Sequence, residues 1–84
     1  MEEAGFSVYV LRSEQDPEIT YIGFTRNLAS RLKQHNQGCG SYSKKYRPWS
    51  LAFSAWFPVK ANALAFEAYL KSHSGKAFAR KRLL

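Results

Sequence analysis

The stretch Thr20-Tyr21-Ile22-Gly23-Phe24-Thr25-Arg26-Asn27-Leu28-Ala29-Ser30-Arg31-Leu32-Lys33-Gln34-His35-Asn36 changes its period partway along. Ile19 to Phe24 is β-branched and aromatic and reads as a strand. Thr25 or Asn27 can then cap a helix whose buried stripe is Leu28 and Leu32, and Gly38 can end it. Arg31 and His35 stand one turn apart on a neighbouring strip of that helix. A tyrosine, a glycine, an arginine and a histidine are thus gathered around one strand-to-helix corner.

Upstream, Phe6 to Leu11 reads as a strand with Phe6, Val8 and Val10 on one face and Ser7, Tyr9 and Leu11 on the other. Ser13 to Glu18 is polar, contains Pro17 and predicts a loop, so the two strands form a hairpin. Downstream, Gly38 to Pro48 reads as a loop carrying Lys44, Lys45 and Arg47. Ser50 to Phe57 is a third strand stopped by Pro58, and Ala61 to Ser72 is an alanine-rich helix. Gly75 is expected to break that helix, and a basic tail helix follows to Leu84. The order β-β-α-β-α-(α) defines an α+β fold, a small sheet covered by helices. Nothing divides the chain, so residues 1–84 read as one domain.

With 84 residues, 45% of them apolar, the chain can build one small core. The single Cys39 cannot form an internal disulfide, which suits a reducing cytoplasm. Met1-Glu2-Glu3 is acidic with no long apolar run after it, so no signal peptide is expected. The charge-free run Pro48 to Val59 is too short to span a bilayer, and no membrane association is expected. The net charge of +7 is unevenly spread. Five of the six acids lie before Ile19; from there on, twelve Lys or Arg face a single acid, Glu67. That field favours a polyanion, and nucleic acid is the commonest one.

Ser7-Val8-Tyr9, then Tyr21-Ile22-Gly23, then Arg31-Leu32-Lys33-Gln34-His35-Asn36, then Glu67-Ala68-Tyr69-Leu70-Lys71 with Ser74-Gly75 form an ordered set. The set resembles the GIY-YIG nuclease domain, and most of all its small stand-alone bacterial members related to the nuclease domain of the ABC excinuclease. The resemblance covers about residues 6 to 82. It implies a three-stranded antiparallel sheet flanked by helices, and phosphodiester cleavage with one divalent metal, Mg²⁺ or Mn²⁺. It assigns Tyr9 and Tyr21 as the motif tyrosines, Gly23 as the close-packing glycine, Arg31 as the catalytic arginine and Glu67 as the metal ligand. His35 matches a histidine common in the subgroup. The chain departs from the pattern at Ser7, at Phe24, where many relatives have lysine, and at Phe66, where a basic residue is frequent.

These residue types suit the chemistry on its own terms. Hydrolysis of a phosphodiester needs a deprotonated water, a cation near the developing charge and help for the leaving oxygen. Arg31 is a permanently charged fork for phosphate. Tyr9 can take a proton if nearby cations favour its charged form, and His35 can serve instead or relay the proton. Taken singly, Glu67 would pair with Lys71 one turn on, an ordinary ion pair of helix surfaces. Phosphate contacts are expected from Lys44, Lys45, Arg47, Lys71, Lys76, Arg80 and Lys81. The expected function is a metal-dependent DNA endonuclease. The alternatives are a nucleic-acid-binding module of the same fold that does not cut, and a subunit whose specificity comes from a protein partner.

Overall fold

Val8-Tyr9-Val10-Leu11 is apolar without interruption because the strand that contains it, β1 (Phe6–Ser13), is covered on both faces. The computed structural model, which describes residues 5–38 and 40–83, places β1 at the centre of a three-stranded antiparallel sheet. Its neighbours are β2 (Thr20–Thr25) and β3 (Trp49–Phe57), in the order β2-β1-β3. The α+β class and the hairpin of the first two strands stand as expected. Met1 to Glu3 and Cys39, on which the expectations of no leader and no disulfide rest, lie outside the described residues.

β3 changes sides partway along. Val10 pairs with Phe53 but Leu11 pairs with Leu51, so Ala52 is an extra residue and the strand bulges there. Trp49 therefore packs with Tyr9 and Leu11, while Phe53 and Phe57 pack with Val8 and Val10 on the opposite face.

Helices α1 (Leu28–Asn36) and α2 (Ser41–Tyr46) lie on the Tyr9 side. Helices α3 (Lys60–Lys71) and α4 (His73–Arg82) close the Val10 side through Ala63, Leu70 and Ala79. Asn27 caps α1, its side-chain oxygen accepting from the Ser30 amide at 3.1 Å. Gly38 stops the chain just beyond it at φ +82°, donating to the His35 carbonyl.

Two expectations are corrected. The segment Gly38 to Pro48 is not wholly loop, since it holds α2. The break after α3 falls at Ser72, not at Gly75: Ser72 ends α3 and caps α4 by accepting from the Gly75 amide at 3.0 Å. Gly75 is buried inside the first turn of α4, where any Cβ would run into the Tyr69 carbonyl. Its smallness lets the two helices turn tightly against each other. Among the described residues, no helix is long and apolar enough to cross a membrane.

Candidate active site

Tyr9 of β1 lies opposite Gly23 of the edge strand β2. The phenol ring crosses the space a side chain at that position would fill, since a Cβ on Gly23 would overlap the ring and its hydroxyl. The glycine is thus required by tyrosine placement, not by its backbone angles. Tyr21, two residues along on the same face, stacks on Tyr9 with ring centroids 6.3 Å apart. Its other side packs on the His35 imidazole, centroid to centroid 4.5 Å.

His35 is carried inward by α1 and is only 5% exposed. Its Nε2 is 3.1 Å from the Tyr9 hydroxyl and its Nδ1 is 2.7 Å from the Ser43 hydroxyl. A neutral imidazole has one donor and one acceptor nitrogen, so the protons of this chain all point the same way, from Tyr9 toward Ser43 or the reverse. Trp49 closes the bottom of the cluster, its indole N–H donating to the Ser43 carbonyl at 3.0 Å. Asn36 holds Trp49 in turn, exchanging hydrogen bonds with its backbone N–H and carbonyl.

Burial sets the acidity of both groups. The Tyr9 hydroxyl is pushed up to about 12, first by its removal from water, then by the neighbouring Tyr21; Arg31 pulls it down and Glu67 pushes it up. Arg31 favours the phenolate, but burial outweighs it. His35 is held below its usual value, mainly by burial and then by Arg31, and stays neutral at pH 7.

Arg31 is exposed on α1, one turn before His35, and lines a cleft with Arg26, Ser30 and Gln34. Glu67 comes from α3, on the other side of the sheet, yet its charge still disfavours ionisation of Tyr9. It pairs with Lys71 at 3.2 Å and its side chain is 18% exposed. The structure thus brings Tyr9, Tyr21 and His35 into contact, with Arg31 and Glu67 bearing on Tyr9 from two sides. Among the described residues, no three His, Cys, Asp or Glu gather as a closed metal site. One partly exposed carboxylate fits a hard cation that keeps water and phosphate oxygens as its other ligands, as Mg²⁺ and Mn²⁺ do.

The basic residues divide. Lys44, Lys45 and Arg47 are exposed on or just after α2. Lys71 and Lys76 line one cavity with Tyr21, and Arg80 lines the next; Lys81 is exposed and lines neither. The sequence reading did not single out Ser43, whose partner is eight residues away with no periodic signal to join them. Nor did it single out Trp49, Tyr42 or Arg12.

A small antiparallel sheet with a buried tyrosine–histidine pair at one edge, flanked by an arginine and a glutamate from different helices, defines a class of compact α+β catalytic domain. Residues 5–82 match the GIY-YIG catalytic domain, and the chain belongs to that family. It is similar to the UPF0213 protein YazA of Bacillus subtilis, 35% identical over 90% of this chain and 76% of that protein. The UPF0213 protein CPE1444 of Clostridium perfringens is 38% identical over 76% of this chain and 68% of that protein. It is also similar to the structure-specific endonuclease subunit SLX1 of Scheffersomyces stipitis, 41% identical over 74% of this chain. The chain spans about a fifth of the length of that SLX1 protein.

Proposed function

We propose that the chain is the catalytic unit of a divalent-metal-dependent endonuclease that hydrolyses phosphodiester bonds in DNA during repair or processing. The observation that carries this reading is the buried line Tyr9–His35–Ser43, with Arg31 and Glu67 both acting on Tyr9. Family membership and the name of the SLX1 relatives support it.

In this reading Arg31 grips the scissile phosphate from the α1 side. Glu67 would hold the divalent cation, which when bound would supply positive charge for the phosphate and acidify water. Before a cation binds, burial holds the proton on Tyr9. Tyr9 accepts the proton of the attacking water as it passes its own to His35 Nε2. His35, kept neutral by burial, is ready to receive it. Ser43 accepts from His35 Nδ1–H and so holds the tautomer with a free Nε2. Tyr21 shields the imidazole from water. Lys44, Lys45, Arg47, Lys71, Lys76, Arg80 and Lys81 hold flanking phosphates. Specificity comes from a protein partner or from DNA shape, and the setting is the cytoplasm.

The second reading, a binding module that does not cut, is favoured by one observation. The Glu67–Lys71 ion pair occupies the carboxylate that the metal needs. Cleavage of flaps, forks, nicks and single strands, with Mg²⁺, Mn²⁺ and EDTA, decides between them. Metal-dependent cutting of any of these supports the nuclease; binding without cutting across the whole panel supports the module.

A further inference from the structure

Two cavities share a wall along the outer side of β2, the edge strand that has no strand beyond it. The smaller, about 420 Å³, contains Tyr21 and Lys71, and so adjoins the candidate active site. The larger, about 540 Å³, lies under α4 on the opposite face of the sheet, against Val10, Ile22 and Ala79. Thr20, Ile22, Tyr42 and Lys76 line both. A continuous groove thus runs from Tyr21 and Lys71, around the β2 edge, to the space beneath α4.

The far end of the groove is charged in an unusual way. Arg12, Lys76 and Arg80 line it with one acid, the exposed Glu18. Among the described residues the only ion pair is Lys71–Glu67, so none of the three cations has a carboxylate at ion-pair distance. The Arg12 Nε is buried and has no hydrogen-bond partner. A buried guanidinium nitrogen without a partner is costly, and the side chain that carries it lines the cavity. At the bend stands Tyr42, 45% exposed, its ring braced on Trp49 and Tyr46 and its hydroxyl donating to the Thr20 carbonyl at 3.3 Å. A fixed, half-exposed aromatic beside a basic groove is a platform for an unpaired base.

We propose that this groove holds a single-stranded DNA arm continuing from the scissile phosphate, with Arg12, Lys76 and Arg80 on its phosphates and a base stacked on Tyr42. The cavity is on the scale of a small-molecule pocket, about 300–1,000 Å³, which admits a nucleotide or two and not a duplex. The proposal rests on the nuclease reading only for where the strand comes from. Arg12 and Tyr42 thereby become specificity residues for a substrate with an unpaired arm.

The test is binding in EDTA, where no cutting occurs, by fluorescence anisotropy. The probes are a blunt duplex and the same duplex with a short single-stranded arm on either strand end. The expected result is about tenfold tighter binding of an armed duplex than of the blunt one. In the double variant Arg12→Gln, Arg80→Gln that preference collapses toward one. The slope of log affinity for the armed probe against log salt shallows by about 1.4, or about 0.7 for each phosphate no longer neutralised. Arg80→Gln alone changes only an exposed side chain of α4 and gives about half of that change even if Arg12 variants fold poorly. Tyr42→Ala lowers the preference about tenfold without changing the slope. Lys60→Gln, at the start of α3, leaves the preference intact.

Equal affinity of the wild type for armed and blunt duplexes overturns the proposal. So does an Arg80→Gln variant with unchanged preference and slope. Arm preference without cutting in Mg²⁺ or Mn²⁺ upholds the groove and sinks the nuclease reading; cutting without arm preference does the reverse.

Discussion

On the α3–α4 side of the sheet, Val8, Val10, Ala63, Leu70 and Ala79 form a core of aliphatic side chains. On the α1–α2 side, Tyr9, Leu11 and Trp49 share their burial with hydroxyls and an imidazole. Among the described residues, the four buried polar side chains, Ser13, Thr25, His35 and Ser43, belong to this second side, and each has a hydrogen-bond partner. The aliphatic side works by removing area from water, which is insensitive to direction. The polar side works by direction: a buried group left without its partner costs about 1–3 kcal/mol, so each member constrains the next. The first side supplies stability, and the second uses some of it to hold chemistry in place.

That contrast can be broken most sharply at Glu67. Glu67→Gln should reduce cutting by orders of magnitude, while metal-free affinity for nucleic acid stays the same or rises because a repulsive charge has gone. Losing the pair with Lys71 should cost only about 0.2–0.5 kcal/mol. Cleavage rates with parallel thermal melts check both halves, and a folded variant that cuts as fast as the wild type defeats the metal assignment.

Leu70→Ala, on the aliphatic side, should behave in the opposite way. Leu70 is fully buried, and its truncation should cost about 2–5 kcal/mol in denaturant unfolding. At a temperature where the variant is still folded, its cleavage rate should match the wild type. A large loss of rate without a loss of stability would mean that the two sides are not separate.

Gly23→Ala joins the two measures. The added methyl overlaps the Tyr9 phenol, so the ring must leave His35. Stability should fall by about 1–3 kcal/mol as in other overpacked sites. Cutting should fall by about a hundredfold, as when acid–base help is lost. Stability that drops while the rate holds would place Tyr9 outside the proton route.

The smallest effect is in pH. His35 is held below its ordinary 6.5, so its burial stabilises the fold fully above that pH and progressively less as pH falls below it. Tyr9 is raised from 10.0 to about 12, so its contribution is complete below pH 10 and is lost as pH rises toward 12. Melting temperatures across pH 5 to 8 should therefore decline on the acid side, and His35→Gln should flatten that decline. A variant as acid-sensitive as the wild type would assign the decline to other groups.

Much of the corner around Tyr21, Gly23, Arg31 and His35 was legible because its signals are local. A β-rich run, a capping Asn27, a Leu28–Leu32 stripe and Gly38 each act within one or two turns of chain. The six-residue α2 was not legible, since Ser41-Tyr42-Ser43-Lys44-Lys45-Tyr46 is too short for a period and has weak helix formers. Gly75 misled for a related reason: a helix-breaking residue type sits inside a helix because only its lack of a side chain lets α4 approach Tyr69.

By itself, the sequence determined the three strands, the main helices, the basic balance after Ile19 and the residue types that mark the family, because strand and helix periods and charge are properties of neighbours along the chain. Only the tertiary structure decided that Tyr9 keeps its proton, that His35 is neutral and held by Ser43, and that Arg12 opens under α4 on the far side of the sheet from Tyr9. Those properties depend on what surrounds a group in space. Loss of water, the charge of Arg31 and Glu67, and a hydroxyl eight residues distant reach these side chains through the packed interior, where distance along the chain does not count.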